Sequence, residues 1–361
     1  MAFTNSELAS IADSTLQFTI DKGKLWKQNV SNKPLLDALN ANAGQFIGGD
    51  SYVKLGVKPG QGGGGLVGYT HDDQVSYYNP ATNKVVRFPW REHHIGVTVT
   101  HTELKVDGIE VVEDGAGEEQ TREVSGREEI ALANRLNEKM DDLNEDYAFS
   151  LDRLLHGDGT SDAKAIAGID SLILASPATG TTGGLNRATT AWWRNRAATA
   201  AFAAAGGQGA ITSSTANGGA LIEFLDKEMR QLNRYKNGST RHKFFAGSDF
   251  IDAYKKELRA NGNYTMNGWS AGTADGSMPN PQHGGTPFTY DPTLDDLGRS
   301  KRCYVIDTGR AGVRLLYLNG KRMLKHKPDR PADRYVIYSG ITMTGVLVAK
   351  QLNTSGVYDI A

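Results

Sequence analysis

Residues 125–157 read SGREEIALANRLNEKMDDLNEDYAFSLDRLLHG. Leu132, Leu136, Met140, Leu143, Tyr147, Leu151 and Leu154 recur at spacings of three and four, which sets them on one stripe of a helix. Glu138, Asp142, Glu145, Asp146 and Arg153 sit off that stripe. Ser125 and Glu128 have the spacing of a capping box, and Gly157 is placed to end the helix. About 31 residues at a rise of ~1.5 Å give a rod of about 46 Å. A globular helix averages about 11 to 12 residues, so this one is the structural spine of whatever surrounds it.

Upstream, residues 1–45 form a polar arm with apolar positions at Leu8, Ile11, Leu16 and Phe18, and a second short helix is expected over Pro34–Leu39. Residues 46–101 change character. The Gly-rich stretch Gly60–Gly65 leads to Val75–Tyr78, then to the turn Asn79-Pro80-Ala81-Thr82-Asn83. A run follows in which Ile95, Val97 and Val99 alternate with Gly96, Thr98 and Thr100. That period of two marks a strand, and the segment is predicted to be one long β-hairpin. A lone hairpin is marginal in water, so it must lie on something else.

Downstream, residues 160–325 are predicted to be mixed helix and strand. Leu221, Leu225, Met229 and Leu232 give Gly218–Tyr235 an apolar helical face. Lys243–Ala246 and Cys303–Asp307 are strands, and Ser248 starts a helix through Phe250, Ile251, Tyr254 and Leu258. A Gly-, Asn- and Pro-rich loop spans Asn261–Pro287, long for a compact domain. Asn319-Gly320 predicts a hairpin between Val313–Leu318 and Lys321–His326. Tyr335–Tyr338 and Thr342–Ala349 are predicted strands broken at Gly340. The fold class expected is α+β.

Lys and Arg number 40, Asp and Glu 41, for a net charge of −1. A dedicated nucleic-acid coat would be basic. With one cysteine, Cys303, no intrachain disulfide forms. No signal peptide and no apolar run near the ~18 residues of a membrane span is present. The length of 361 residues exceeds what one core usually fills.

The search for chemistry yields little. Gly60, Gly62 and Gly65 match a dinucleotide glycine pattern, but an extended segment follows where a helix is required. His93 and His94 point to opposite faces of a strand, and no cysteine or acid stands at metal-ligand spacing from them or from His101. Asp141, Asp142, Glu145 and Asp146 lie on the solvated side of the spine, not in a pocket that would separate their acidities. Cys303 sits in an apolar strand with no activating base nearby. Trp192-Trp193-Arg194-Asn195-Arg196 could stack on single-stranded nucleic acid, but alone in a neutral chain it is read as packing or subunit contact. No catalytic, cofactor-binding or metal-ligating residue is assigned, and no enzyme is expected.

What remains is architecture. The arm and the hairpin lack the partners needed to bury their apolar faces within one subunit, and such faces are liabilities unless neighbours cover them. The order of arm, extended hairpin, spine helix, α/β segment and returning strands resembles the major capsid proteins of tailed bacteriophages, the Hong Kong 97-type fold. Gly168-Ile169-Asp170, Gly184-Leu185-Asn186-Arg187, Trp192-Trp193-Arg194-Asn195 and Lys243–Gly247 are similar to phrases of that family.

The resemblance implies an N-terminal arm at 1–45 and an extended loop at 46–101. It implies a peripheral domain from 102–159 and 326–361 with spine helix 125–157, and an axial domain at 160–325. It further implies self-assembly into pentamers and hexamers of an icosahedral shell around double-stranded DNA, held without sequence-specific binding. The near-neutral charge suits a wall that does not grip its DNA. The short arm with Met1 retained implies a separate scaffolding protein. A portal protein and a decoration protein are the other implied partners, with a virion location, assembly in the bacterial cytoplasm and no membrane. Some family members crosslink through Lys and Asn, and Lys54 and Lys58 lie in the extended loop with nothing to mark them for it. The alternatives are an encapsulin-type compartment of the same fold and, more remotely, a hydrolase built around the 261–287 loop with Asp275 or Asp291.

Overall fold

A computed structural model describes residues 30–60, 65–75, 77, 79, 83–100, 102, 126–204, 207–216, 219–260, 281–319, 322–326 and 336–361. Lys33–Ala361 forms one compact unit, and everything below lies within it. The helix expected around Leu8–Phe18 lies outside the described residues, as do Gly62 of the glycine pattern, His101 and residues 261–280.

The chain opens with helix α1 (Pro34–Ala41), then strands β1 (Gly44–Phe46), β2 (Tyr52–Val57), β3 (Lys84–Pro89) and β4 (Arg91–Thr100). The spine is α2 (Gly126–Leu155), followed by α3 (Ile169–Leu172) and the short strands β5 (Thr181–Thr182) and β6 (Leu185–Asn186). Next come β7 (Arg196–Ala198), α4 (Ala200–Ala204), α5 (Ala220–Arg234), β8 (His242–Ala246) and α6 (Ser248–Ala260). The remainder is β9 (Gln282–His283), β10 (Thr286–Tyr290), α7 (Pro292–Asp296), β11 (Arg302–Asp307), β12 (Val313–Leu318), β13 (Leu324–His326), β14 (Val336–Ala349) and β15 (Gly356–Asp359). Pro34 stands at the first turn of α1, where its missing N–H costs nothing, and Leu35, Leu36, Ala38 and Leu39 form the buried face. On the described part of the spine, Leu143 and Leu151 of the stripe are buried and Tyr147 and Leu154 half-buried, while Leu155, off the stripe, is buried as well. Ser125 and the side chains of Leu132, Leu136 and Met140 lie outside the described residues.

Two larger sheets carry the unit. In the first, β14 is central among the described strands. β4 runs antiparallel along one edge from Val336↔Thr100 to Gly345↔Arg91. The other edge takes β12 (Val313↔Ala349 to Tyr317↔Gly345) and, beyond it, β13 (Leu324↔Thr342 to His326↔Gly340). β1 pairs parallel with the free edge of β12.

Three expectations change here. β12 and β13 do not pair as a hairpin. Both edges of β12 are already taken, by β1 and β14, so β13 has only β14 to join despite the local Asn-Gly turn signal. β14 is not broken at Gly340. A Cβ there would sit 2.6 Å from His94 Nε2, so glycine marks a close approach within a continuous strand. The hairpin of 46–101 is also shorter than predicted. β2 pairs with β3 from Tyr52↔Pro89 to Val57↔Lys84, and β4 leaves it to join β14.

The second sheet has the order β7-β15-β11-β8-β10-β9. Its two faces serve different cores, following the period of two. Phe244, Ala246, Cys303, Val305 and Tyr358 pack with Leu221, Leu225 and Leu232 of α5 and Phe250, Ile251 and Tyr254 of α6. Phe245, Tyr304, Ile306 and Val357 face the other way, into a core shared with α1, the end of α2, β3, β12 and β14. The sheet is thus a wall between two cores. Strands cross the boundary expected at 325: β12 belongs to the first sheet and β15 to the second.

Candidate assembly site

The hairpin buries one face by itself. Val53, Leu55, Val57, Val86 and Phe88 alternate inward, and Val86 is completely buried. Its seat is the β5–β6 turn. Arg87 N donates to Gly183 O at 3.0 Å. Gly183 has φ +60, and a Cβ there would lie 2.9 Å from Val86 Cβ, so only glycine lets the turn reach the strand. The expectation that the hairpin finds no support in its own subunit is therefore too broad. What stays uncovered is its outward face, its connection and the stretch just before β2. Of the twelve large hydrophobic side chains that stand exposed among the described residues, eight lie between Ile47 and Val85: Ile47, Tyr52, Leu66, Val67, Tyr69, Val75, Tyr77 and Val85.

The Gly184–Arg187 and Trp192–Asn195 phrases build the clamp beneath that seat. Arg187 is fully buried. Its guanidinium donates to Thr182 Oγ1 (2.8 Å), Asn195 Oδ1 (2.7 Å) and Leu172 O (2.5 Å). Burial, and then the nearby Arg194 charge, push it down to about 10. Trp193, also buried, donates from Nε1 to Thr182 O at 3.1 Å. Asn195 holds Leu174 from both sides, accepting from its N–H and donating to its carbonyl, each at 3.0 Å. Arg194 donates to the carbonyls of Arg187 and Ala188. Trp193 and Asn195 are thereby spent on the fold, which leaves Trp192 half-exposed and no row of aromatics for stacking bases.

A polar knot lies where the spine ends. Asp152 of α2's last turn, His156 just past it, Asp291 at the cap of α7 and Thr293 of α7 are all buried. His156 Nδ1 donates to Asp152 O at 2.8 Å, and Nε2 donates to Asp291 Oδ2 at 2.9 Å. A backbone carbonyl and a carboxylate both accept hydrogen bonds, an arrangement that favours a ring with hydrogen on both nitrogens. Burial pulls its pKa down, but the Asp291 hydrogen bond and the two carboxylates outweigh this and leave it above the ordinary value. Thr293 Oγ1 donates to Asp152 Oδ2 at 2.6 Å, and burial raises the Asp152 pKa. Arg299 extends the knot, donating to His156 O and pairing with Asp170 of α3 at 2.7 Å. Asp152, His156 and Asp291 have the composition of a metal site. His156 Nδ1 is spent on the Asp152 main-chain carbonyl and Nε2 on Asp291, itself one of the three, and the cluster is sealed from solvent, which suits a latch better than a ligand set.

The sequence offered Arg187 only as the end of the Gly184–Arg187 phrase, and it overlooked His156 and the buried Glu257. The Glu257 carboxylate reaches from α6 to accept the N–H groups of Leu221 and Ile222 at the start of α5. The spacing of four from Asp152 to His156 on the spine was the one available hint. Asp291, weighed as a hydrolase carboxylate, is instead the α7 cap and the His156 partner. Asp275 lies outside the described residues. Cys303 is buried, and desolvation pushes its thiol well above the ordinary value. Asp141, Glu145 and Asp146 are exposed and Asp142 half-buried. His93 Nε2 accepts from Ile166 N at 3.2 Å, and burial lowers its pKa, while His94 stands exposed on the opposite face. Lys54 pairs with Asp50. Among the described residues no helix is long and apolar enough to cross a membrane.

No protein-family model and no curated protein matches the sequence. Solved structures do. A chain of the cyanophage A-1(L) capsid asymmetric unit has a TM-score of 0.61 at 17% identity, covering 96% of this chain and 99% of that one. The capsid of the native GTA particle has 0.53 at 14% identity, covering 94% and 95%. The capsid of cyanophage P-SCSP1u has 0.54 at 10%, covering 94% and 91%. Nearly whole chains superpose in each case, and the fold of this protein is that of phage capsid subunits, the Hong Kong 97 type that its element order resembles.

Proposed function

We propose that the chain is the major capsid protein of a tailed bacteriophage, a shell subunit without catalytic work. The observation that carries this is the concentration of exposed large apolar side chains between Ile47 and Val85. A monomer that presents such a row is incomplete, and neighbours of the same kind are the economical cover. In this reading copies form pentamers and hexamers of an icosahedral shell around double-stranded DNA, in the virion. A scaffolding protein, a portal protein and a decoration protein are the further partners. The helix-backed second sheet would be the core of the axial domain. The first sheet and the spine would form the peripheral domain, with β12 assigned to it and β15 to the axial domain. The connection after β2 would be the extended loop.

The test is electron microscopy of the protein expressed alone and with the scaffolding protein of its source. Closed shells are the expected result. A stable monomer with Leu66, Tyr69 and Tyr77 left in solvent at every concentration would sink the reading.

A further inference from the structure

We propose that Asp307, Asn353 and Thr354 hold a calcium ion at the crossover that joins the two larger sheets.

Six buried side-chain atoms among the described residues lack a hydrogen-bond partner, and four of them belong to one neighbourhood: His242 Nε2, Asp307 Oδ2, Asn353 Oδ1 and Thr354 Oγ1. Register brings them together. His242 and Asp307 stand directly opposite each other on β8 and β11. By the alternation of each strand they share the face of Phe244 and Val305. The pairing of β11 with β15, carried two residues past Val305↔Gly356, sets Thr354 opposite Asp307 on the other side. Two contacts agree with this placement. Asp307 N donates to Ser355 Oγ at 3.1 Å, and the Thr354 main chain hydrogen-bonds the His242 ring. Asp307 and Thr354 are completely buried.

Asp307 is the centre of the group. Its Oδ1 accepts from Arg241 N at 2.9 Å and from Gly309 N at 2.8 Å. A Cβ on Gly312 would lie 2.7 Å from Asp307 Cγ, and one on Gly309 would lie 2.8 Å from Oδ1. Backbone therefore closes around the carboxyl at two positions where a side chain would not fit. Oδ2 is left buried with neither a donor nor an ion pair among the described residues. A carboxylate oxygen so placed is costly unless positive charge reaches it.

The companions of Oδ2 set the class of that charge. An amide oxygen and a hydroxyl oxygen join a single carboxylate, with no sulfur among them. Such a mixed oxygen set suits calcium, which accepts irregular geometry, better than magnesium, which demands a near-ideal octahedron. With the Thr354 contact on its other nitrogen, His242 Nε2 is placed to accept from a water on the ion. The end of α5 lies alongside: Tyr235 O accepts from Gln351 Nε2 at 2.9 Å, and Asn237 Nδ2 donates to Gln351 Oε1 at 3.1 Å. The partial negative charge of a helix C-terminus favours a cation there. Lys236 also acts on His242, but its side chain is exposed. One carboxylate makes a weak site, with a dissociation constant of roughly 10⁻⁴ to 10⁻³ M. The ion would tie β8 and β11 to the 350–355 connection.

The test uses full-length chain stripped of metal and melted in increasing calcium chloride, with magnesium chloride and sodium chloride at matched ionic strength beside it. Calcium is expected to raise the melting temperature by several degrees and to saturate, and the other two salts to do far less. Asp307→Asn should abolish the rise. Thr354→Val, which removes a neutral ligand and leaves the carboxylate in place, should weaken calcium several-fold, and it reads the site even where Asp307→Asn does not fold. A melting temperature indifferent to all three salts reduces the site to ordered water and overturns the proposal. So does a calcium response unchanged in Thr354→Val. A response lost in His156→Gln but kept in Thr354→Val overturns it as well, because the ion would then belong to Asp152, His156 and Asp291.

Discussion

His156 Nε2 and Asp291 Oδ2 meet at 2.9 Å across 135 residues of sequence, both side chains almost without solvent contact. The bond ties the last turn of the spine to the cap of α7, and through α7 to β10 and β11 on either side of it in sequence. Breaking one partner of such a pair strands the other charge, at about 3 to 5 kcal/mol. His156→Ala is expected to destabilise the isolated chain by that much in urea unfolding. Adding Asp291→Asn should recover part of the loss, because the stranded carboxylate is gone. Strictly additive losses would show that the two side chains are not coupled.

The same pair sets a pH dependence. His156 is held above its ordinary value of 6.5, so its contribution is complete below that pH and is lost as pH rises through the folded value. The stability gap between the unaltered chain and His156→Gln should therefore narrow on going alkaline. His93, His242 and His283 behave oppositely: burial lowers each, so their contribution is present above 6.5 and lost as pH falls. A His242→Gln variant should lose less stability on acidification than the unaltered chain. Chemical denaturation across the neutral range reads both slopes.

Arg187 predicts a sharp failure of conservative exchange. Lysine offers a point charge where three acceptors are arranged for a planar fork. Arg187→Lys should cost several kcal/mol, since each hydrogen bond from a charged donor contributes about 1.5 to 3. Hydrogen exchange should quicken first at Trp193 and Arg87, whose partners lie on or beside the clamp.

Gly183 and Gly184 separate strain from contact. Both have positive φ, +60 and +83. A Cβ at Gly184 meets nothing within 4 Å, whereas one at Gly183 strikes Val86. Gly184→Ala should cost about 1 kcal/mol for the left-handed backbone alone. Gly183→Ala should cost clearly more and unseat the hairpin, visible as a lower melting temperature and faster proteolysis between residues 57 and 84.

The spine was legible because a stripe over thirty residues has no competing explanation; α1, α5 and α6 were legible from shorter apolar faces, and β8 and β11 from short apolar runs. The element order was legible too, and with it the fold. Pairing was not. Asn319-Gly320 states a local preference, but which edge is free depends on β1, far away in sequence. Gly340 read as a break because the His94 ring it accommodates lies on a strand whose pairing no local pattern reveals. Within the site, Trp193 and Asn195 read as packing or subunit contact, and packing is what they do; the job of Arg187 beside them was not legible, since a buried guanidinium announces itself only when its three acceptors are in place. His156 was missed because one histidine at a helix end is ordinary until Asp291 arrives from another element.

β14 and β15 go to different sheets, and only residues 350–355 lie between them. Neither sheet can close while the ribosome is still short of residue 336. Thr100 must wait for Val336, and Cys303 for Tyr358. A chain dominated by such distant pairings folds slowly and spends that interval with bare strand edges. Nascent chains of this design should depend on chaperones.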